Sequence, residues 1–157
     1  WQPSAGNFPT LWRLLWRLPR PPEARPYLSR AAHRAGPVDW VTGACVFIRA
    51  DIFRALDGFD EDFFLYYEDV DFAARALRHG STTHYVPAVS VGHACPHASR
   101  SRDPRVEGYV RAGRALWFER HRPPAEQRLM GLLTRAEPLF RGRAAGATHP
   151  AGRTGRP

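Results

Sequence analysis

The stretch GFDEDFFLYYEDVDFAARAL, residues 58–77, holds six carboxylates in a chain whose formal net charge is +8. Seven of the 15 acidic residues (Asp57, Asp60, Glu61, Asp62, Glu68, Asp69 and Asp71) fall between positions 57 and 71. Carboxylates this close raise one another's proton affinity, which is one way to make a general base. Glu68, Asp69 and Asp71 stand where a helix is expected to begin. Acids there also serve the free amides and the macrodipole, each contributing about 0.3–1 kcal/mol. Asp71 can in addition pair with Arg75 four residues on. One acid meets that structural need, and three directly after an aromatic loop exceed it, pointing to catalysis or to a cation.

A second group, VGHACPH at 91–97, places His93 at the end of an expected strand, with Cys95 and His97 close behind. A structural zinc would need four ligands, usually as two spaced pairs. Beyond Cys45 and scattered histidines the chain offers no second pair. A strand-end His near a carboxylate pair fits a hard divalent cation better, or an anionic leaving group.

Several elements must position these residues. FPTLWRLLWRLPRPP (8–22) reads as a short helix opened by Pro9 and Thr10 and closed by Pro19, with Trp12 and Trp16 on one face and Arg13 and Arg17 on another. Residues 19–37 read as a Pro- and Arg-rich loop. VDWVTGACVFIR (38–49) has the β-branched and aromatic content of a buried strand, and a short helix from Ala50 to Leu56 follows, ended by Gly58. Residues 58–67 form an ordered loop, because Phe59, Phe63, Phe64, Tyr66 and Tyr67 carry too much apolar area to leave in water. A helix from Glu68 to His79 follows from Val70, Ala73, Ala74 and Leu77 at helical spacing, with Gly80 as its stop. THYVPAVSVGH (83–93) reads as two strands hinged at Pro87. Helices from Pro104 to His121 and from Pro124 to Phe140 complete the chain, with a disordered tail over 141–157.

With 157 residues, 43% of them hydrophobic, there is enough for one sizeable core. The N-terminal Trp, with no initiator Met, suggests a piece of a longer protein. All 23 basic residues are Arg. Net charge is +5 over 1–56, −5 over 57–99 and +8 over 100–157, counted from the same sequence. An acidic centre with basic flanks suits a cation with an anionic substrate, or a membrane surface, better than a nucleic-acid groove. Single-strand binders interleave rings and cations, whereas here the two are segregated, so no nucleic-acid partner is expected. Cys45 and Cys95 cannot make a disulfide framework, and Cys45 is expected inside a buried strand. The default setting is cytoplasmic. No apolar run approaches the roughly 20 residues of a membrane span, so any membrane contact is peripheral, at the inner face of the cell membrane.

The order VDWVTGACVFIRADIFRALDGFDEDFFLYYEDVDFAARALRHGSTTHYVPAVSVGH, with RALWFERHRPP at 114–124, resembles the acceptor-side half of family 2 glycosyltransferases, the inverting GT-A enzymes, especially rhamnosyltransferase-like members. The resemblance implies an α/β fold: the C-terminal part of a GT-A domain, a mixed sheet with flanking helices, without its nucleotide-binding half. It divides the chain into a connecting segment (1–37), the catalytic half-domain (38–121), a C-terminal helix (122–140) and the tail. Asp69 matches the base that takes the proton from the acceptor hydroxyl, and Glu68 orients the acceptor beside it. Trp40, Gly43 and Ala44 match the segment lining donor sugar and acceptor. His93 matches a position that helps hold a divalent metal, Mg or Mn, on the nucleotide diphosphate of the full-length enzyme. Arg100 and Arg102 could neutralise that diphosphate, though they match no fixed motif position. The implied partners are a nucleotide-diphosphate sugar and a glycan or polyprenyl-linked glycan acceptor, with rhamnose the suggested hexose. The departures are the absence of the Asp-x-Asp half and ACPHASR after His93 in place of a Gly- and Ser-rich run. The competing expectations are a non-catalytic remnant, inactive alone, and a basic nucleic-acid-binding module.

Overall fold

A computed structural model describes residues 4–17, 34–93 and 104–145. Arg100, Arg102, Cys95 and His97, most of the expected loop at 19–37, and the tail beyond 145 lie outside the described residues. The elements run β1 (Ala5–Gly6), α1 (Leu11–Arg17), β2 (Gly36–Val38), β3 (Trp40–Val41), α2 (Ala50–Ala55), α3 (Glu68–Arg78), β4 (Thr83–Tyr85), α4 (Pro104–His121) and α5 (Pro124–Ala145). The class is mixed α/β, as expected. The strands, however, form two antiparallel two-stranded ribbons, β1 with β3 and β2 with β4, in place of one mixed sheet.

Residues 42–49 are not a strand. β1 offers β3 only Ala5 and Gly6 as partners, and the pairing ends at Val41. Without a neighbour to take its amides, an extended segment has no ladder to join. Val46 and Phe47 therefore lie on the surface, Phe47 at 95% exposure, and Cys45 is exposed where a buried thiol was expected. The second strand after Pro87 does not form either, and Val86, Val89 and Val91 are exposed.

The helices follow the sequence closely. Thr10 Oγ1 accepts from the Arg13 amide at 3.2 Å and opens α1. At the end of α3, Gly80 adopts φ +86°, the Gly80 amide donates to Leu77 O at 3.0 Å and the Ser81 amide to Ala76 O at 2.9 Å. These two reversed bonds close the last turn, and only a residue at ease with positive φ can make them. Asp57 fills the matching position after α2, with φ +57°. The final helix continues to Ala145, five residues past the expected end at Phe140.

The core joins Phe63, Val70, Ala74, Trp117, Phe118 and Met130, with Phe8, Leu11, Leu14, Trp40, Tyr67, Leu116 and Leu133 packed around them. Full burial of side chains this large contributes on the order of 1.5–3 kcal/mol each. Trp117 also donates its indole N–H to Pro9 O at 3.1 Å and stacks on Phe8 and His121. Leu77, expected in the core, is exposed, and Asp71 and Phe72 are buried in its place. The cause is that α3 is covered on two sides, by α4 and by the Phe53–Phe59–Phe72 ring cluster.

Asp71 is the fully buried charged side chain among the described residues, at 1% exposure. Its Oδ2 accepts from Arg75 Nε at 2.7 Å, so the i, i+4 pair read from the sequence is present. Arg75 donates further to Leu56 O at 2.7 Å and to Gly58 O at 2.9 Å, which ties the loop after α2 to α3. Asp71 Oδ1 meets His121 Nε2 at 2.6 Å, and His121 Nδ1 meets Arg78 at 2.5 Å. A guanidinium can only donate, so Nδ1 accepts and the ring is the neutral Nε2–H tautomer, donating to Asp71. Burial alone would push the Asp71 carboxyl up. The hydrogen bonds from His121 and Arg75 and the Arg75 charge outweigh it and hold the carboxyl below the ordinary carboxylate value.

Two outcomes follow for urea denaturation of the chain. Asp71→Ala strands Arg75 against two carbonyls and should cost roughly 3–5 kcal/mol, the usual loss on removing one partner of a buried pair. Because the folded value is depressed, the Asp71 contribution is complete above the ordinary carboxylate range and is lost as pH falls through the lower folded value. The pH dependence of stability in acid should therefore flatten in Asp71→Asn; an unchanged acid limb would show that Asp71 does not carry it.

Candidate active site

The acidic cluster resolves into separate duties. Arg120 pairs with both Asp60 and Asp62, and Asp60 Oδ1 also accepts from the Asp62 amide at 3.0 Å in a local turn. Asp71 belongs to the buried network, and Asp57 and Glu61 are on the surface. Glu68 and Asp69 remain, neither paired with a cation among the described residues.

Two residues in left-handed conformation deliver them. Tyr66 has φ +69° and Tyr67, the residue before α3, has φ +77°. For residues other than glycine this costs on the order of 1–3 kcal/mol each and persists only where the surroundings enforce it. The enforcing element is α4. At Gly113, which is buried, a Cβ would sit 2.7 Å from Tyr66 O and 3.2 Å from the Tyr67 ring. Absence of a side chain lets α4 press directly on the strained backbone. The sequence signal was a glycine inside a helical stretch, and sequence reasoning passed over it.

Helical rotation of about 100° per residue puts Asp69 and Asp71 on opposite sides of α3. Asp71 turns inward to α4, and Asp69 turns to the 42–44 turn. Asp69 Oδ2 accepts from the Gly43 amide at 2.9 Å, and Oδ1 from the Val70 amide at 2.8 Å. Burial raises the Asp69 carboxyl above its ordinary value despite those two amides. Glu68 is raised too, first by burial and then by the Asp69 charge. Its Oε2 is buried with no hydrogen-bond partner among the described residues. The pair thus holds protons more tightly than free carboxylates, and one of its buried oxygens lacks a hydrogen-bond partner among the described residues.

The structure brings Gly43 and Asp69 together across 26 residues of sequence. Gly43 and Ala44 are exposed beside Asp69. A Cβ at Gly43 would lie 3.9 Å from the Asp69 Cβ, an ordinary contact, so the fold itself does not demand glycine there. Trp40 sits below the turn, its ring against the core and its Nε1 donating to Asn7 O at 3.0 Å. His93 is exposed at the end of the described segment. No three His, Cys, Asp or Glu among the described residues converge as a cation site, so these residues do not by themselves fit the divalent metal.

The aromatic residues of 58–67 mainly build structure. Phe63 is in the core under the Arg120 guanidinium, Phe59 joins the cluster behind α3, and exposed Phe64 packs on Tyr109. Two concavities, one of about 500 Å³ lined by Leu56, Arg75 and His79 among others and one of about 250 Å³ beside Asp39 and Thr83, touch neither Glu68 nor Asp69. The raised carboxylate pair thus lies outside both of these concavities.

Two glycines of α4 should respond in opposite directions to alanine. Gly113→Ala should destabilise by about 1–3 kcal/mol through overpacking against Tyr66, while Gly108→Ala, with open space around it, should stabilise by roughly 0.5–1 kcal/mol through helix propensity. Urea midpoints of both variants measure this, and equal shifts would remove the case for the close approach.

Residues 27–114 match the family model described as glycosyl transferase family group 2. The N-acetylglucosaminyl-diphospho-decaprenol L-rhamnosyltransferase of Mycobacterium tuberculosis is 37% identical over 111 residues, covering 65% of this chain and 35% of that protein. The rhamnosyltransferase WbbL of Escherichia coli is 39% identical over 64 residues, 41% of this chain and 24% of that protein. The O-antigen biosynthesis protein RfbC of Myxococcus xanthus is 32% identical over 110 residues, 69% of this chain and 8% of that protein. The chain thus spans about a third of the length of its Mycobacterium relative. No solved structure matches. Because the family model covers more than half of the sequence, including the 42–44 turn, the strained tyrosines and the Glu68–Asp69 pair, the chain belongs to glycosyl transferase family group 2.

Proposed function

We propose that this chain is the acceptor-side part of an inverting GT-A glycosyltransferase that moves a hexose from a nucleotide-diphosphate sugar to a glycan or lipid-linked glycan. Rhamnose is the sugar we favour, because two relatives are named as rhamnosyltransferases, and one name includes a diphospho-decaprenol. The observation that carries the reading is Asp69, fixed by the Gly43 amide at the start of α3 with its proton affinity raised by burial. In the proposed step the acceptor hydroxyl oxygen forms its bond to the anomeric carbon as its proton passes to Asp69. The bond from that carbon to the diphosphate oxygen breaks, and the nucleoside diphosphate leaves with the electron pair. Direct attack from the opposite face inverts the anomeric centre.

Glu68, with its partnerless buried oxygen, suits an acceptor hydroxyl held beside the base. Gly43 and Ala44 suit a close backbone approach by the sugars. No step is assigned to a metal, since the described residues do not assemble a site for one. Arg100 and Arg102 are offered as counter-charges for the diphosphate from their position in the sequence alone. A lipid-linked acceptor would put the reaction at the cytoplasmic face of the cell membrane, which we propose as its place of action.

The test belongs in an enzyme of the relatives' full length that carries these residues. Asp69→Asn keeps the shape and the amide acceptor but removes the base, and turnover at saturating donor should fall roughly 10²- to 10⁴-fold with donor binding little changed. Glu68→Gln should do less. Turnover should rise with pH through the raised Asp69 value, because protonation below it removes the base; the midpoint should lie above that of an ordinary aspartate. Near-normal turnover in Asp69→Asn, with Asp71→Asn inactive though folded, would assign the base to the wrong carboxylate.

A further inference from the structure

Helices α1 and α5 pack on the same core and are joined at their starts. The Leu11 amide donates to Glu126 Oε2 at 3.0 Å, and Arg122 holds the same carboxylate at 2.6 Å. The inner face of α1 is Leu11 and Leu14, and that of α5 is Met130 and Leu133. Their other faces carry apolar side chains into solvent. Trp12 and Trp16 are 69% and 57% exposed, with ring centroids 6.0 Å apart, and Leu132 on α5 is 60% exposed. Arginines accompany them: exposed Arg128 and Arg135 stand at i−4 and i+3 from Leu132, while Arg13, beside the tryptophans, is already paired with Asp39 and donates to Phe8 O. α1 contains no acid, and the α5 carboxylate next to it, Glu126, is already occupied.

We propose that these outer faces of α1 and α5 together form a docking surface for an anionic lipid bilayer. Indole rings settle at the headgroup layer, half apolar and half wet, and leucines reach the acyl boundary below them. Arginine stems lie along apolar surface while the guanidinium reaches lipid phosphate. Charge decides the occupant. A second copy of this chain would bring arginine against arginine, whereas an anionic bilayer supplies the missing counter-charge. The exposed ring of Phe64, by contrast, stands beside Glu61 and Asp62 and lacks that complement. Contact is superficial, since no helix among the described residues is long and apolar enough to cross a membrane. This inference stands apart from the transfer reaction and can fail or hold independently of it.

The experiment is co-sedimentation of the full chain with sucrose-loaded vesicles of phosphatidylcholine, with and without phosphatidylglycerol. Binding should require the anionic lipid, weaken as salt rises, and fall about tenfold or more when Trp12 and Trp16 are both changed to Ala. Phe64→Ala should bind like the parent. A charge-reversal variant, Arg128→Glu with Arg135→Glu, should lose binding as well, and it reads the same surface should the tryptophan variant misfold by circular dichroism. Absence of binding to anionic vesicles overturns the proposal. So does unchanged binding by a folded Trp12→Ala, Trp16→Ala chain. Self-association in analytical ultracentrifugation that those two changes abolish would assign the surface to a second copy instead.

Discussion

A carboxylate without access to water must find its hydrogen-bond donors within the protein, and Asp71 finds them on two different elements. That requirement sets much of the architecture. Arg75 holds Asp71 through Nε while its remaining donors meet the carbonyls of Leu56 and Gly58, fixing the exit from α2. His121 reaches Asp71 only if the last turn of α4 lies along α3, and this brings Trp117 over the core and Gly113 against the tyrosine loop. One buried negative charge thus registers α2, α3 and α4 against one another.

The register has a chemical result on the far side of α3. With its inner face fixed, the helix presents Asp69 to the Gly43 amide and leaves Glu68 with a buried oxygen lacking a partner. The left-handed pair Tyr66–Tyr67 sits between the core contact of Phe63 and the first turn of the helix, so within this loop the strain falls on the two residues that lead into Glu68 and Asp69. The acids differ here in their surroundings: Asp60, Asp62 and Asp71 are paired with Arg or His, whereas Glu68 and Asp69 are desolvated near backbone amides.

The helices could be read from the sequence because their signals are local: the spacing of Val70, Ala73 and Ala74, the threonine before α1 and Gly80 after α3. The strands were legible only in part: β3 and β4 fall inside the expected stretches, but a strand exists only where another segment pairs with it, and TGACVFIR (42–49) has the composition of a strand without such a neighbour among the described residues. The Asp71–Arg75 pair was likewise legible from spacing, whereas the choice of Glu68 and Asp69 from among the three acids rested on the family resemblance. The long-range contacts were not. Nothing in the order of residues announces that His121 will close on Asp71 from 50 positions away, or that Gly113 will receive Tyr66 O. Leu77 shows the same limit in reverse, since helical periodicity assigned it to a core that coverage on two sides had shifted to Asp71 and Phe72.

The exposure of residues 42–47 also has a chemical side. Cys45 lies two positions beyond the amide that holds Asp69, with its thiol open to reagents. Two such molecules meeting in an oxidising buffer can join through their sulfurs, producing a covalent dimer that reflects handling in air and no affinity between the chains. The same accessibility makes the position a natural anchor for a maleimide fluorophore or a spin label. A probe there would sit beside the 42–44 turn, and its spectrum would register changes in the turn directly, without waiting for turnover.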